Sequence, residues 1–195
     1  MQFEGIVMFK RVIAVAWVCS TMLAGVAWAA PDSEASLREQ LLSATWPADI
    51  VRIATDYRRR FPRGPIAADA ASRGERAARA QRVVESKDVN LSRKAFAAAV
   101  GVPALRADAE RALLADPAAA LRIAHAYRDG QDTPAEPMAH VEWLRYAAAL
   151  DDPAANYELS RHYRQDGQMP MAAKYESRAV ELGFVLPREL DSVRK

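Results

Sequence analysis

The chain has one cysteine, Cys19, set in an apolar run near the N-terminus. Without that run no thiol remains, which excludes disulfides, a cysteine nucleophile and cysteine-ligated metal from the rest. Glycine is scarce, eight in 195 residues, and no phosphate-binding glycine loop occurs. Neither G-x-S-x-G nor H-E-x-x-H is present. No sustained period-2 alternation is found, and no Asn-Gly or Asp-Gly joins two β-branched runs, so strand and hairpin signals are missing. No charge of one sign dominates: 27 Lys+Arg face 25 Asp+Glu, a net of +2, and nothing at this level demands nucleic acid. None of His125, His140 and His162 has a second histidine three or four residues away, so zinc-type spacing is missing too. No catalytic, cofactor-binding or metal-binding set is expected.

What is present begins with an export signal. Lys10 and Arg11 precede an apolar run from Val12 to Trp28, which ends at Ala27-Trp28-Ala29, a small-x-small cleavage pattern. Residues 1–29 read as a secretory signal with Met8 as the true start, cleaved after Ala29, and the destination as periplasmic or secreted. An uncleaved anchor is the alternative, since 12–30 nearly reaches spanning length. After cleavage no transmembrane segment is expected.

Of the 166 residues that follow, 36 are alanine. Alanine has the highest helix propensity, and its small side chain lets helices approach closely. Proline and glycine punctuate helical stretches at 33–44, 48–61, 65–86, 90–100, 103–115, 117–130, 137–151, 153–165 and 170–183, with a short one at 186–193. Ser33 and Asn90 suit caps, Pro65 a first helical position. Short connections favour antiparallel neighbours. The expected class is all-α.

An internal repeat organises the second half. Asp116-Pro117 aligns with Asp152-Pro153 at an offset of 36, placing Leu121 on Tyr157, Ile123 on Leu159 and Tyr127 on Tyr163. Gly130 and Gly167 close the two helices. Beyond the loop the offset is 32, which matches Trp143 with Tyr175 and Ala147 with Ala179. A helix pair of this kind cannot bury its apolar face alone, and stacking units makes the core continuous. Tyr127, Trp143, Ala147, Tyr163, Tyr175 and Ala179 are the expected packing residues.

These residues resemble Sel-one-like repeats of the tetratricopeptide superfamily: paired small residues (Ala119-Ala120, Ala154-Ala155), the helix-one tyrosine and glycine, then Trp143 or Tyr175 followed by alanine. The pattern departs at Ala124 and Ser160, where the family has glycine, and at Leu144 and Glu176 after the first aromatic. The resemblance divides the chain into a signal at 1–29, a degenerate tetratricopeptide-like part at 30–115, two Sel-one-like repeats at 116–183 and a C-terminal cap or tail at 184–195. It implies an α-solenoid of antiparallel helix hairpins. It also implies a scaffold or adaptor for protein partners in envelope assembly, export or signalling. The alternatives are a cell-wall or carbohydrate-active hydrolase and an obligate subunit of an envelope complex, the latter suggested by the irregular stretch 86–115.

Two sets of residues are candidates for partner binding. Between Arg52 and Arg82 nine arginines face three acids, with Arg58, Arg59, Arg60 and Arg63 clustered at a helix end and turn. An anionic polysaccharide, a phosphorylated lipid surface or an acidic protein would suit them, although charge runs usually solvate a face. Arg73, Arg76, Arg79 and Arg82 recur every third residue and suggest one basic stripe. Arg122, His125, Glu158 and Arg161 lie between the packing columns and are expected on the concave face. Asp152, before Pro153, suits a helix cap rather than acid–base chemistry.

Overall fold

Helix caps in a computed structural model, which describes residues 33–130 and 132–186, set the element boundaries. Ser33 Oγ accepts from the Ser36 amide at 3.1 Å and opens α1 (Glu34–Ser43). Pro47 is the first residue of α2 (Pro47–Arg60), whose last turn carries Arg58, Arg59 and Arg60 against the negative helix end. α3 (Ala67–Val84) begins two residues after Pro65, which belongs to the preceding turn. α4 (Arg93–Gly101) is capped by Ser92, not Asn90: Ser92 Oγ accepts from Ala95 N at 3.3 Å. The expected helix at 103–115 is the seven-residue α5 (Arg106–Ala112) with turns at both ends.

Aspartate caps and a following proline start α6 (Pro117–Asp129) and α8 (Pro153–Gln165) alike. Asp116 accepts from Ala119 N at 3.0 Å and Asp152 from Ala155 N at 2.8 Å. α7 (Pro137–Ala149) and α9 (Met169–Glu181) also carry proline in the first turn. The described residues are thus all-α, with no strand among them. None of their helices is long and apolar enough to cross a membrane. The proposed signal, with Ala27 and Ala29, lies outside the described residues, as does most of the 186–193 helix.

Three backbone closures share the geometry that Gly167 also adopts, with φ of 72° and the Gln168 amide donating to Tyr163 O at 2.8 Å. Ala115, Asp151 and Gly183 adopt φ of 59°, 71° and 89°. The next amides, of Asp116, Asp152 and Phe184, donate back to the carbonyls of Arg111, Ala147 and Ala179 at 3.2, 3.1 and 2.9 Å. This is the six-to-one bond that satisfies orphan carbonyls at a helix end. The closures fall 36 and 32 residues apart, the offsets found in the sequence.

Consecutive helices pack on each other most extensively in the pairs α2–α3, α6–α7 and α8–α9, and α3 also reaches α7. Alanine permits this closeness. α3 buries Ala70, Ala77 and Ala80, and a Cβ on Gly74 would stand 3.0 Å from that of Ala54 on α2. One apolar core runs from Leu37 on α1 to Tyr175 on α9. At its centre Phe96 meets Trp46, Trp143 and Tyr146 edge-on, with ring centroids 5.7, 4.9 and 5.5 Å away. The buried Tyr146 hydroxyl donates to Ala112 O at 2.8 Å, so its polar end is satisfied.

Candidate functional site

Burial of one stripe decides which side chains of α6 and α8 face outward. α6 buries Ala119, Ala120, Ile123, Ala124 and Tyr127, leaving Arg122, His125 and Arg128 on the other side. α8 buries Ala155, Asn156, Leu159, Ser160 and Tyr163, leaving Tyr157, Glu158 and Arg161. The buried polar groups of α8 are satisfied: Asn156 Nδ2 donates to Ala148 O at 3.1 Å and Asp152 O at 2.8 Å, and Ser160 Oγ donates to Tyr157 O at 2.7 Å.

Arg128, Tyr157, Glu158 and Arg161 line a cleft of about 430 Å³ bounded by α6, α7 and α8, together with Leu144, His162 and Gln165, and His125 reaches its edge through Glu158. His125 Nε2 lies 2.8 Å from Glu158 Oε1, and Arg128 Nη1 donates to Glu158 Oε2 at 3.4 Å. Arg128 also grips Asp129 with two bonds, at 2.7 and 3.2 Å. Arg161 lines the cleft and has no ion-pair partner among the described residues. Tyr157 forms another wall and stacks on Phe184 at 4.6 Å.

His140, from α7, completes the cleft. Its Nδ1 lies 3.0 Å from the carbonyl of Ala124. A carbonyl only accepts, so Nδ1 carries the proton and Nε2 of the neutral ring is left as an acceptor. Burial lowers the His140 pKa, with Arg128 and His125 adding repulsion, while the Ala124 bond and Glu158 oppose the shift. The cleft can therefore present the Arg161 guanidinium, a neutral imidazole acceptor and an engaged carboxylate to one ligand. Among the described residues no serine, threonine, cysteine or lysine lines it. No group of three histidines or carboxylates placed to hold a metal occurs among the described residues.

Three of the four residues expected on the concave face, His125, Glu158 and Arg161, are thus brought together. The fourth, Arg122, turns to α5 and pairs with Asp108 through Nε at 3.0 Å and Nη2 at 2.8 Å. Burial would raise the Asp108 pKa, but hydrogen bonds from Arg122 and Arg111 outweigh it and hold the carboxyl below its ordinary value. His140 and Arg128 escaped the sequence reading. His140 comes from a second helix of a pair, and nothing in its spacing reveals that it meets α6.

The packing residues occupy matched places with different neighbours. Tyr127 and Tyr163 are each 6% exposed, and their carbonyls accept from Glu136 N at 2.9 Å and Gln168 N at 2.8 Å. Trp143, Ala147 and Ala179 are fully buried. Tyr175 stacks on Tyr163 at 5.4 Å, and burial together with Tyr163 and Asp88 pushes its pKa up to about 12.

The arginine-rich segment divides in two. On α3, Arg76 donates to Leu114 O at 3.3 Å and Arg79 to Leu150 O at 3.1 Å, so both meet carbonyls that follow α5 and α7. These two arginines join elements rather than forming a free basic stripe. The cluster at the end of α2 differs. Arg59 and Arg60 share Asp56, while Arg58 and Arg63 have no partner among the described residues.

Comparison of the chain with protein-family models, with curated proteins and with solved structures finds no match in any of the three.

Proposed function

We propose that the chain is an exported, periplasmic adaptor: an α-solenoid of Sel-one-like helix pairs that holds a protein partner of the cell envelope. The supporting observation is the cleft lined by Glu158 and Arg161, with His125 bonded to Glu158 at its edge. Under the 36-residue offset Arg122 corresponds to Glu158 and His125 to Arg161, so the cleft joins outward positions of adjacent units. Stacked helix pairs use such positions to form an extended binding surface. Arg161 supplies a cation with no ion-pair partner among the described residues, Tyr157 an apolar wall and His140 a fixed acceptor. Together these give polar specificity beside a small apolar contact.

Affinity purification of the full chain from the envelope fraction tests this reading. A reproducible protein partner is expected, and Arg161→Glu should remove it while the helical circular dichroism stays unchanged. Recovery of the same proteins by both forms would overturn the assignment of the face.

His140 favours a second reading, a hydrolase acting on cell-wall sugar. His140 and Glu158 line one cleft, and acid–base chemistry requires an imidazole and a carboxylate of this kind. Release of sugar from purified peptidoglycan, lost in His140→Ala, would replace the adaptor reading with this one.

A further inference from the structure

The turn between α2 and α3 forms a cleft of about 690 Å³. Thr55, Arg58, Arg59, Pro62, Arg63 and Pro65 line it together with alanines of α3, and no carboxylate does. At this end of α2 Arg59 and Arg60 hold Asp56, and the Glu34 carboxylate beside Gly64 accepts from the Tyr57 hydroxyl. Arg58 and Arg63 are left without a counter-ion among the described residues.

The turn is braced before any ligand arrives. Phe61 N donates to Tyr57 O at 2.7 Å, Gly64 N to Phe61 O at 3.0 Å and Ala67 N to Gly64 O at 3.0 Å. The buried Tyr57 hydroxyl donates to Glu34 Oε1 at 2.5 Å and lies against Gly64, where any side chain would displace it. Arg58 and Arg63 therefore stand on a fixed backbone, which lowers the entropy lost on pairing.

We propose that this cleft binds an acidic peptide segment whose carboxylates pair with Arg58 and Arg63. Guanidinium forks match carboxylates two bonds at a time. The proline and alanine floor accepts the methylenes of glutamate or the backbone between them. Other anions fit the lining less well. No aromatic ring lines the cleft to support a sugar face, and the Thr55 hydroxyl is spent on Val51 O at 2.8 Å. None of the large exposed apolar side chains, among them Leu42, Met138 and Met169, lines the cleft to enter a lipid surface. The site shares no residue with the α6–α8 face, and each stands or falls without the other.

Fluorescence anisotropy with the purified full chain tests the site, using labelled deca-glutamate and deca-glutamine. Saturable binding of deca-glutamate alone is expected. Arg58→Ala/Arg63→Ala should weaken it about tenfold or more, since charged hydrogen bonds are lost. Arg82→Ala/Lys87→Ala removes the same charge elsewhere and should change it less than about twofold. Both double variants should keep the parent circular dichroism. No binding, equal weakening by the two double variants, or equal binding of deca-glutamine would overturn the proposal. So would tighter competition by polygalacturonate, which would make the site one for polysaccharide, or by anionic vesicles, which would make it one for lipid.

Discussion

Trp143 on α7 and Tyr175 on α9 stand 32 residues apart, each four residues before a fully buried alanine. Their surroundings differ. Trp143 has no exposed surface and meets Phe96 and Tyr146 at 4.9 and 6.0 Å. Tyr175 keeps 8% of its surface and stacks on Tyr163, with Lys174 Nζ 5.4 Å from its ring centre. α7 packs against α6, α8 and α3, whereas the extensive neighbour of α9 is α8. The same local pattern therefore supplies core packing where described helices lie on several sides and a ring stack where α8 is the extensive neighbour.

The largest expected effect tests that contrast. Trp143→Ala should cost roughly 3–5 kcal/mol, as large aromatic deletions in cores do. Tyr175→Ala should cost about 1 kcal/mol less, because its ring is smaller and 8% of the residue is already in water. Urea unfolding measures both, and equal losses would break the distinction between interior and end. The paired caps sharpen the other side of the comparison. Asp116→Ala and Asp152→Ala should each cost about 1 kcal/mol, the usual value for a lost aspartate cap.

The α6–α8 cleft adds a pH dependence. Burial favours the neutral His140 ring, so its folded pKa lies below the ordinary 6.5. Its contribution to stability is complete above about 6.5 and is lost as pH falls toward the folded value. Thermal unfolding between pH 7.5 and 5 should show a decline that His140→Gln flattens. An unchanged decline in the variant would place the effect elsewhere.

Two glycines give the smallest expected effect. A Cβ on Gly101 or on Gly167 would touch nothing within 4 Å, but only Gly167 has a positive φ, 72°. Gly167→Ala should cost about 1 kcal/mol through backbone strain alone. Gly101→Ala should gain about 0.5 kcal/mol through lower unfolded-state entropy.

The helical class was legible because alanine content and proline–glycine punctuation act locally. Asp116, Asp152, Pro117 and Pro153 set helix starts through their own backbone neighbours, so a reading residue by residue finds them. Pro65 and Asn90 misplaced two starts. The turn at 62–66 is held by Tyr57 and by backbone bonds, and Ser92 lies closer than Asn90 to the first free amides of α4. The outward positions of α6 and α8 followed from their buried periodicity. His140 did not, because its contact with Ala124 spans a loop whose course no spacing rule gives. Arg76 and Arg79 read as a surface stripe, since their carbonyl partners lie 38 and 71 residues away.

The central claim is that the face carrying Arg161 holds a protein partner. A photo-crosslinking amino acid at position 161 of the full chain, irradiated in intact cells, tests it most directly beside the same label at Glu110, which is exposed on α5. One discrete protein adduct is expected from position 161 and none from 110. The absence of any adduct at 161, or an identical set from both positions, would contradict it.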